Sequence, residues 1–143
     1  MNVRFFYVSN SFSLEQRTRL KAFIGFIFKN ERQSLQFLNV IFCSDEYLLE
    51  INRQFLDHDF YTDIVTFNVA SSLKPVCGDI YISVDRVREN AVTLGLTVKA
   101  ELHRVIFHGV LHLCGYKDKK PGEIKTMRDM EDHYLRLYFK RST

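Results

Sequence analysis

A chain of 143 residues with a formal charge of +3 has the length of one domain and can bury about two thirds of its unfolded surface. Its three cysteines, Cys43, Cys77 and Cys114, form no CxxC pair, which excludes a disulfide scaffold and suits a reducing cytoplasm. The small basic excess permits an anionic partner without marking a dedicated nucleic-acid binder, and no apolar run of about eighteen residues exists to span a membrane.

Val3 to Val8 is rich in β-formers and predicts a first strand, without the charged, apolar and cleavage regions of a signal peptide. Ser13 and Gln16 make a capping-box pattern. Leu20, Phe23, Ile24, Ile27 and Phe28 follow at helical spacing, so a helix is predicted over 14–29. Leu35 to Phe42 predicts a second strand. Ser44, Asp45 and Glu46 then open a second helix, with acids in its positive first turn, running to about residue 55. Residues 56–63 are polar and irregular. Ile64 to Val69 predicts a third strand, Ser71 to Pro75 a turn, and Gly78-Asp79 leads into a fourth strand, Ile80 to Ser83. The short connection predicts a hairpin of these two strands. Ser83 caps a helix through about Thr93 that Gly95 ends, and Thr97 caps the next. Pro121 opens a final helix, with Met127, Met130, Tyr134 and Leu137 as its apolar stripe. The order β-α-β-α-β-β-α-α-α describes an α+β fold over residues 1–143: a mostly four-stranded mixed sheet packed with about five helices.

The chemistry concentrates after Thr97. His108 and His112 stand four apart and share a helix face. Gly115 is placed to stop the helix, and the chain then delivers Asp118. Two imidazoles on a helix plus one ligand beyond its end can build a three-ligand metal site with an open position. With His108 at zero, His112 lies near about 40° and Gly109 and Leu113 near about 100° and 140°, so the histidines flank the apolar stripe. Cys114 and His103 point elsewhere, near about 240° and 220°. Glu101, seven residues earlier, shares the face at about 10 Å, too far for shared ligation, leaving a salt bridge or a supporting role open. Position 109 is Gly where H-E-x-x-H peptidases carry their general base, which argues against a metallopeptidase-like hydrolase. A glycine there lets a strand or a substrate pass close. Asp118 has two readings: a solvated acid among Lys117, Lys119 and Lys120, or a hard anionic ligand that zinc and other divalent metals accept.

The stretch from His108 to Tyr116, His-Gly-Val-Leu-His-Leu-Cys-Gly-Tyr, resembles the H-G-x-L-H-L-x-G-Y-D-H signature of the YbeY family, bacterial endoribonucleases of ribosomal RNA maturation. Thr62 to Phe67 resembles that family's T-D-V-L-S/T-F, Gly78 to Ser83 its G-D-I-x-I-S, and Met127 with Glu131 its closing M-x-x-x-E. The blocks keep the family's order from about Asn52 to the C-terminus. The resemblance implies one zinc ion with an activated water, held by three motif histidines, and a role in rRNA processing and ribosome quality control. Two of those ligands carry over as His108 and His112, whereas the third position is Asp118. Leu56 stands where the family carries an arginine, a residue able to hold a phosphate.

The leading expectation is therefore a single-strand-specific, metal-dependent endoribonuclease acting on rRNA in the cytoplasm, alongside the ribosome or ribosome-associated proteins and away from membranes. His108, His112 and Asp118 are its metal ligands. Asp63, Asp79 and His58 are its candidates for acid–base work. Lys117, Lys119 and Lys120, with Arg17, Arg19 and Lys21 on the first helix, are its candidates for RNA contact. A non-catalytic ribosome-assembly or RNA-binding factor with a structural metal is the second expectation, favoured by Leu56 and Asp118 and disfavoured by the open-site motif.

Overall fold

The structure, a computed structural model, describes residues 2–8, 12–69 and 75–140. The elements follow the predicted order: β1 (Val3–Tyr7), α1 (Arg17–Asn30), β2 (Leu35–Cys43), α2 (Asp45–Leu56), β3 (Ile64–Asn68), β4 (Val76–Ser83), α3 (Val84–Leu94), α4 (Val98–Leu113) and α5 (Pro121–Lys140). The sheet runs β1-β2-β4-β3. Its first three strands are parallel and β3 pairs antiparallel with β4, so the hairpin supplies the mixed sheet and leaves β3 as an edge. The turn expected at Ser71 to Pro75 lies, except for Pro75, outside the described residues.

Strand alternation sorts side chains between two layers. Leu38, Val40 and Phe42 of β2 and Ile80 and Ile82 of β4 are buried in the main core beneath α1, α4 and α5. Cys43 and Val65 point the other way and pack with Leu48 of α2. Gly109 sets how closely α4 lies on the sheet: a Cβ there would stand 2.8 Å from Ile64 Cδ1 and 2.9 Å from Ile80 Cδ1. The glycine thus admits strands, and it seats the histidine-bearing turn of α4 over edge strand β3. All three cysteines are free thiols. No helix among the described residues is long and apolar enough to cross a membrane.

Two expectations need correction. α1 begins at Arg17, not residue 14, and Ser13 does not cap it: Gln16 is the N-cap, in left-handed backbone (φ 53°) with no side-chain capping bond. A helix cannot run through that conformation, and Leu14 is instead buried as part of the core. On α5 the inward stripe is Met127, Glu131, Tyr134 and Tyr138, so Leu137 and Met130 lie half-buried at its margin.

His103 sits among the rings of Tyr138, Phe107 and Phe139, its Nδ1–H donated to the Lys99 carbonyl at 2.7 Å. Burial lowers its pKa against the pull of that hydrogen bond, and the charges of Lys99 and Arg19 add to the lowering. Between the usual histidine value of about 6.5 and this lowered one, the unfolded chain holds more protons than the folded one, so stability falls as pH falls. His103→Phe keeps the ring packing and removes the titration. Its melting temperature is expected to fall less than that of wild type between pH 7.5 and 5.5, and parallel curves would show that His103 carries none of the acid sensitivity.

Candidate functional site

Helix α4 ends in a Schellman motif. The N–H of Gly115 bonds the His112 carbonyl and the N–H of Tyr116 bonds the Leu111 carbonyl, both at 3.0 Å, with Gly115 at φ 107°. This reversal carries the chain back past its own last turn. It places the Tyr116 carbonyl 2.9 Å from His112 Nδ1 and brings Asp118 Oδ2 to 3.3 Å from His112 Nε2 and 3.2 Å from His108 Nε2. The one sequence signal behind this geometry is a glycine three residues past the second histidine.

His108 is oriented from elsewhere in the chain. Its Nδ1 lies 2.5 Å from Glu131 Oε2 on α5. Glu131 is 1 % exposed, and its other oxygen accepts from Arg104 at 3.0 Å, while Arg104 also forks onto Glu101. Burial alone would raise the Glu131 pKa, but His108 and Arg104 outweigh it and hold the carboxyl below its ordinary range. The buried acids Glu101 and Glu131 thus share one guanidinium, whose already high pKa is raised further, chiefly by its bonds to Glu101.

A carboxylate and a carbonyl only accept, so both histidines must donate from Nδ1. In neutral rings this leaves two Nε2 lone pairs converging with a carboxylate oxygen, an arrangement a cation relieves. The donor atoms of His108, His112 and Asp118 all lie within 4.8 Å of one another. Donors bound to zinc at about 2.0–2.1 Å in a tetrahedron stand about 3.3 Å apart, which matches the 3.2 and 3.3 Å from Asp118 to the two imidazoles. Anchoring of each ring through its far nitrogen is the usual support of a metal-ligating histidine. The residues present fit a divalent ion.

The three groups open onto a cleft of about 610 Å³ walled by the C-terminal half of α2, the segment after it and β3, including Asn52, Leu56, His58, Phe60, Asp63 and Thr66. Of the acid–base candidates, Asp63 and His58 line it. Asp63 accepts from the Asn90 amide at 3.3 Å, and burial raises its pKa against the charges of Arg104 and His108. Asp79 does not line the cleft. It alternates with Ile80 onto the other face of the sheet, where it accepts from the Asn39 amide at 3.0 Å. Lys119 borders the cleft, while Lys117 and Lys120 are exposed outside its lining. Arg17, Arg19 and Lys21 sit on α1, which packs on β1 at the far edge of the sheet from β3. Arg19 donates to the Tyr138 carbonyl and lies over that ring at 4.0 Å. Glu131 and Arg104 were not among the expected site residues. An acid inside an otherwise apolar helical stripe was the legible sign that Glu131 needed a buried partner.

Residues 8–138 match the family described as Endoribonuclease YbeY. The chain is 51% identical over 133 residues to an endoribonuclease YbeY of Cytophaga hutchinsonii, covering 93% of each chain. It is 43% identical over 127 residues to that of Flavobacterium psychrophilum, covering 89% of this chain and 90% of the relative. A solution structure of a Thermotoga maritima protein superposes with a TM-score of 0.65 at 27% identity, over 97% of this chain and 90% of the other.

Proposed function

The chain belongs to the YbeY family of endoribonucleases, and on that premise we propose that it is one hydrolase domain that cuts single-stranded stretches of ribosomal RNA with the help of one divalent ion, zinc in the first place. His108, His112 and Asp118 are its ligands. Convergence of two Nε2 lone pairs and a carboxylate oxygen at 3.2–3.3 Å beside an open cleft carries this reading. When bound, such an ion lowers the pKa of a water and polarises a phosphoryl oxygen. Glu131 and the Tyr116 carbonyl hold the two imidazoles in the tautomer that presents Nε2. Asp63, an acid with a raised pKa on the cleft wall, is suited to take a proton from the attacking water or return one to the leaving oxygen. Leu56 replaces the family arginine, and Lys119, which lines the same cleft, supplies positive charge there. The work is cytoplasmic, beside the ribosome or its associated proteins. A purely structural metal in a non-catalytic assembly factor accounts less well for a donor set that faces a cleft.

Elemental analysis of protein expressed with ample zinc should find one zinc per chain. Chelation should stop cleavage of a single-stranded rRNA fragment, and zinc should restore it. Protein with no divalent metal, or cleavage indifferent to chelator, would sink this reading.

A further inference from the structure

The loop after α2 carries exposed rings at the mouth of a polar cleft. Phe60 is 55% exposed and stacks on the exposed ring of His58, with centroids 5.0 Å apart and planes inclined by 21°. Both line the cleft that His108, His112 and Asp118 enter. Leu56, 37% exposed, lines the same wall. The main chain of both residues is tied to Asn52, a residue 1 % exposed. Its side-chain amide donates to the Phe60 carbonyl at 3.0 Å, and its own carbonyl accepts the His58 N–H at 3.1 Å. These two bonds fix the backbone that carries the stacked rings, so part of the ordering is already in place before binding.

We propose that the stacked His58–Phe60 pair is a nucleobase subsite, which takes one unpaired base of an RNA strand whose phosphate lies across the cleft at the His108, His112 and Asp118 group. This rests on the nuclease reading and deepens it. The occupant follows from the charges. Asp57 and Asp59 flank the stacked pair and disfavour a phosphate there, although Asp59 is already paired to Arg53 at 2.5 Å. The positive charge that favours a phosphate is Lys119, in the lining with the histidines. The loop thus offers π faces to a base, and Lys119 in the same cleft offers positive charge to the backbone. A duplex hides its base faces, so the subsite selects single strands.

The test measures binding of a fluorescein-labelled single-stranded RNA hexamer with metal chelated so that the strand stays intact, using wild type, Phe60→Ala, Phe60→Leu and Phe60→Tyr. The ring is half exposed, so each variant should melt near wild type. Alanine and leucine should weaken binding roughly tenfold and tyrosine hardly at all. A hexamer abasic at the contacted position should bind wild type and Phe60→Ala equally. Equal binding of the intact strand by all four proteins, or equal loss with intact and abasic strands, overturns the subsite and leaves the nuclease reading standing. A wild type that neither binds the strand under chelation nor cuts it when zinc is restored overturns both.

Discussion

His112→Ala is expected to abolish stoichiometric metal and to lower metal-dependent RNA cleavage by at least about a thousandfold, because a three-ligand site reduced to two holds an ion poorly. The variant should still fold: His112 is only half-buried, and its bonds run to Tyr116 and Asp118 at the end of α4. Metal content, cleavage and thermal unfolding of the same preparation separate these outcomes. Asp118 is the informative companion. If it is a ligand, Asp118→Ala should weaken metal binding clearly, though by less than His112→Ala, since a carboxylate 37% exposed is partly replaced by water. Asp118→His supplies a neutral third ligand. It leaves more of the ion's charge to act on water, so cleavage should rise above wild type at saturating zinc. Unchanged metal affinity in Asp118→Ala would remove Asp118 from the ligand set and make it a solvated acid facing the two histidines.

The second large effect concerns the buried charges behind His108. Arg104→Ala leaves Glu101 and Glu131, with side chains 0% and 2% exposed, without the cation they share. Glu131 keeps His108, but Glu101 is left uncompensated, and a buried charge of that kind costs about 3–5 kcal/mol, against a total stability of about 5–15 kcal/mol. Its melting temperature should therefore drop by about 10 °C or more. Arg104→Lys keeps the charge but not the planar fork and should fall between. Glu131→Gln separates support of the fold from support of the site. Arg104 retains Glu101, so the melting temperature should move by only a few degrees. The acceptor on His108 Nδ1 becomes neutral, and metal affinity should fall about 10–100-fold. The acid limb has a defined sign. Glu131 lies below its ordinary range, so its contribution is complete above the unfolded glutamate value of about 4.3 and is lost as pH falls through the lowered folded one. A Glu131→Gln protein with wild-type metal affinity would show that the 2.5 Å contact does not orient the ligand.

The histidine pair, the helix stop at Gly115 and the order of nine elements were legible because each is decided within a few residues of itself. Spacing of four puts two side chains on one helix face, and a glycine past the last apolar turn supports a left-handed C-cap. The run Leu35 to Phe42 and the hairpin of β3 and β4 follow from local composition in the same way. The start of α1 was not legible in this way: Ser13 and Gln16 satisfy a capping pattern, whereas burial of Leu14 draws the chain into a different turn.

Side and partner were another matter. Asp63 and Asp79 look alike in sequence, each an acid before a strand-like run. Only pairing in the sheet sends Asp79 to the face away from α4 and leaves Asp63 on the cleft wall. Glu131 and His108 are separated by 23 residues, and their contact exists because α5 docks its Glu-bearing stripe on α4. The sequence by itself determined that His108 and His112 share one helix face and that the helix stops before Asp118, since local spacing and helix termination are short-range. The tertiary structure alone decided which side chains meet, because strand alternation, the close seat that Gly109 allows and the docking of α5 are set by packing between distant segments.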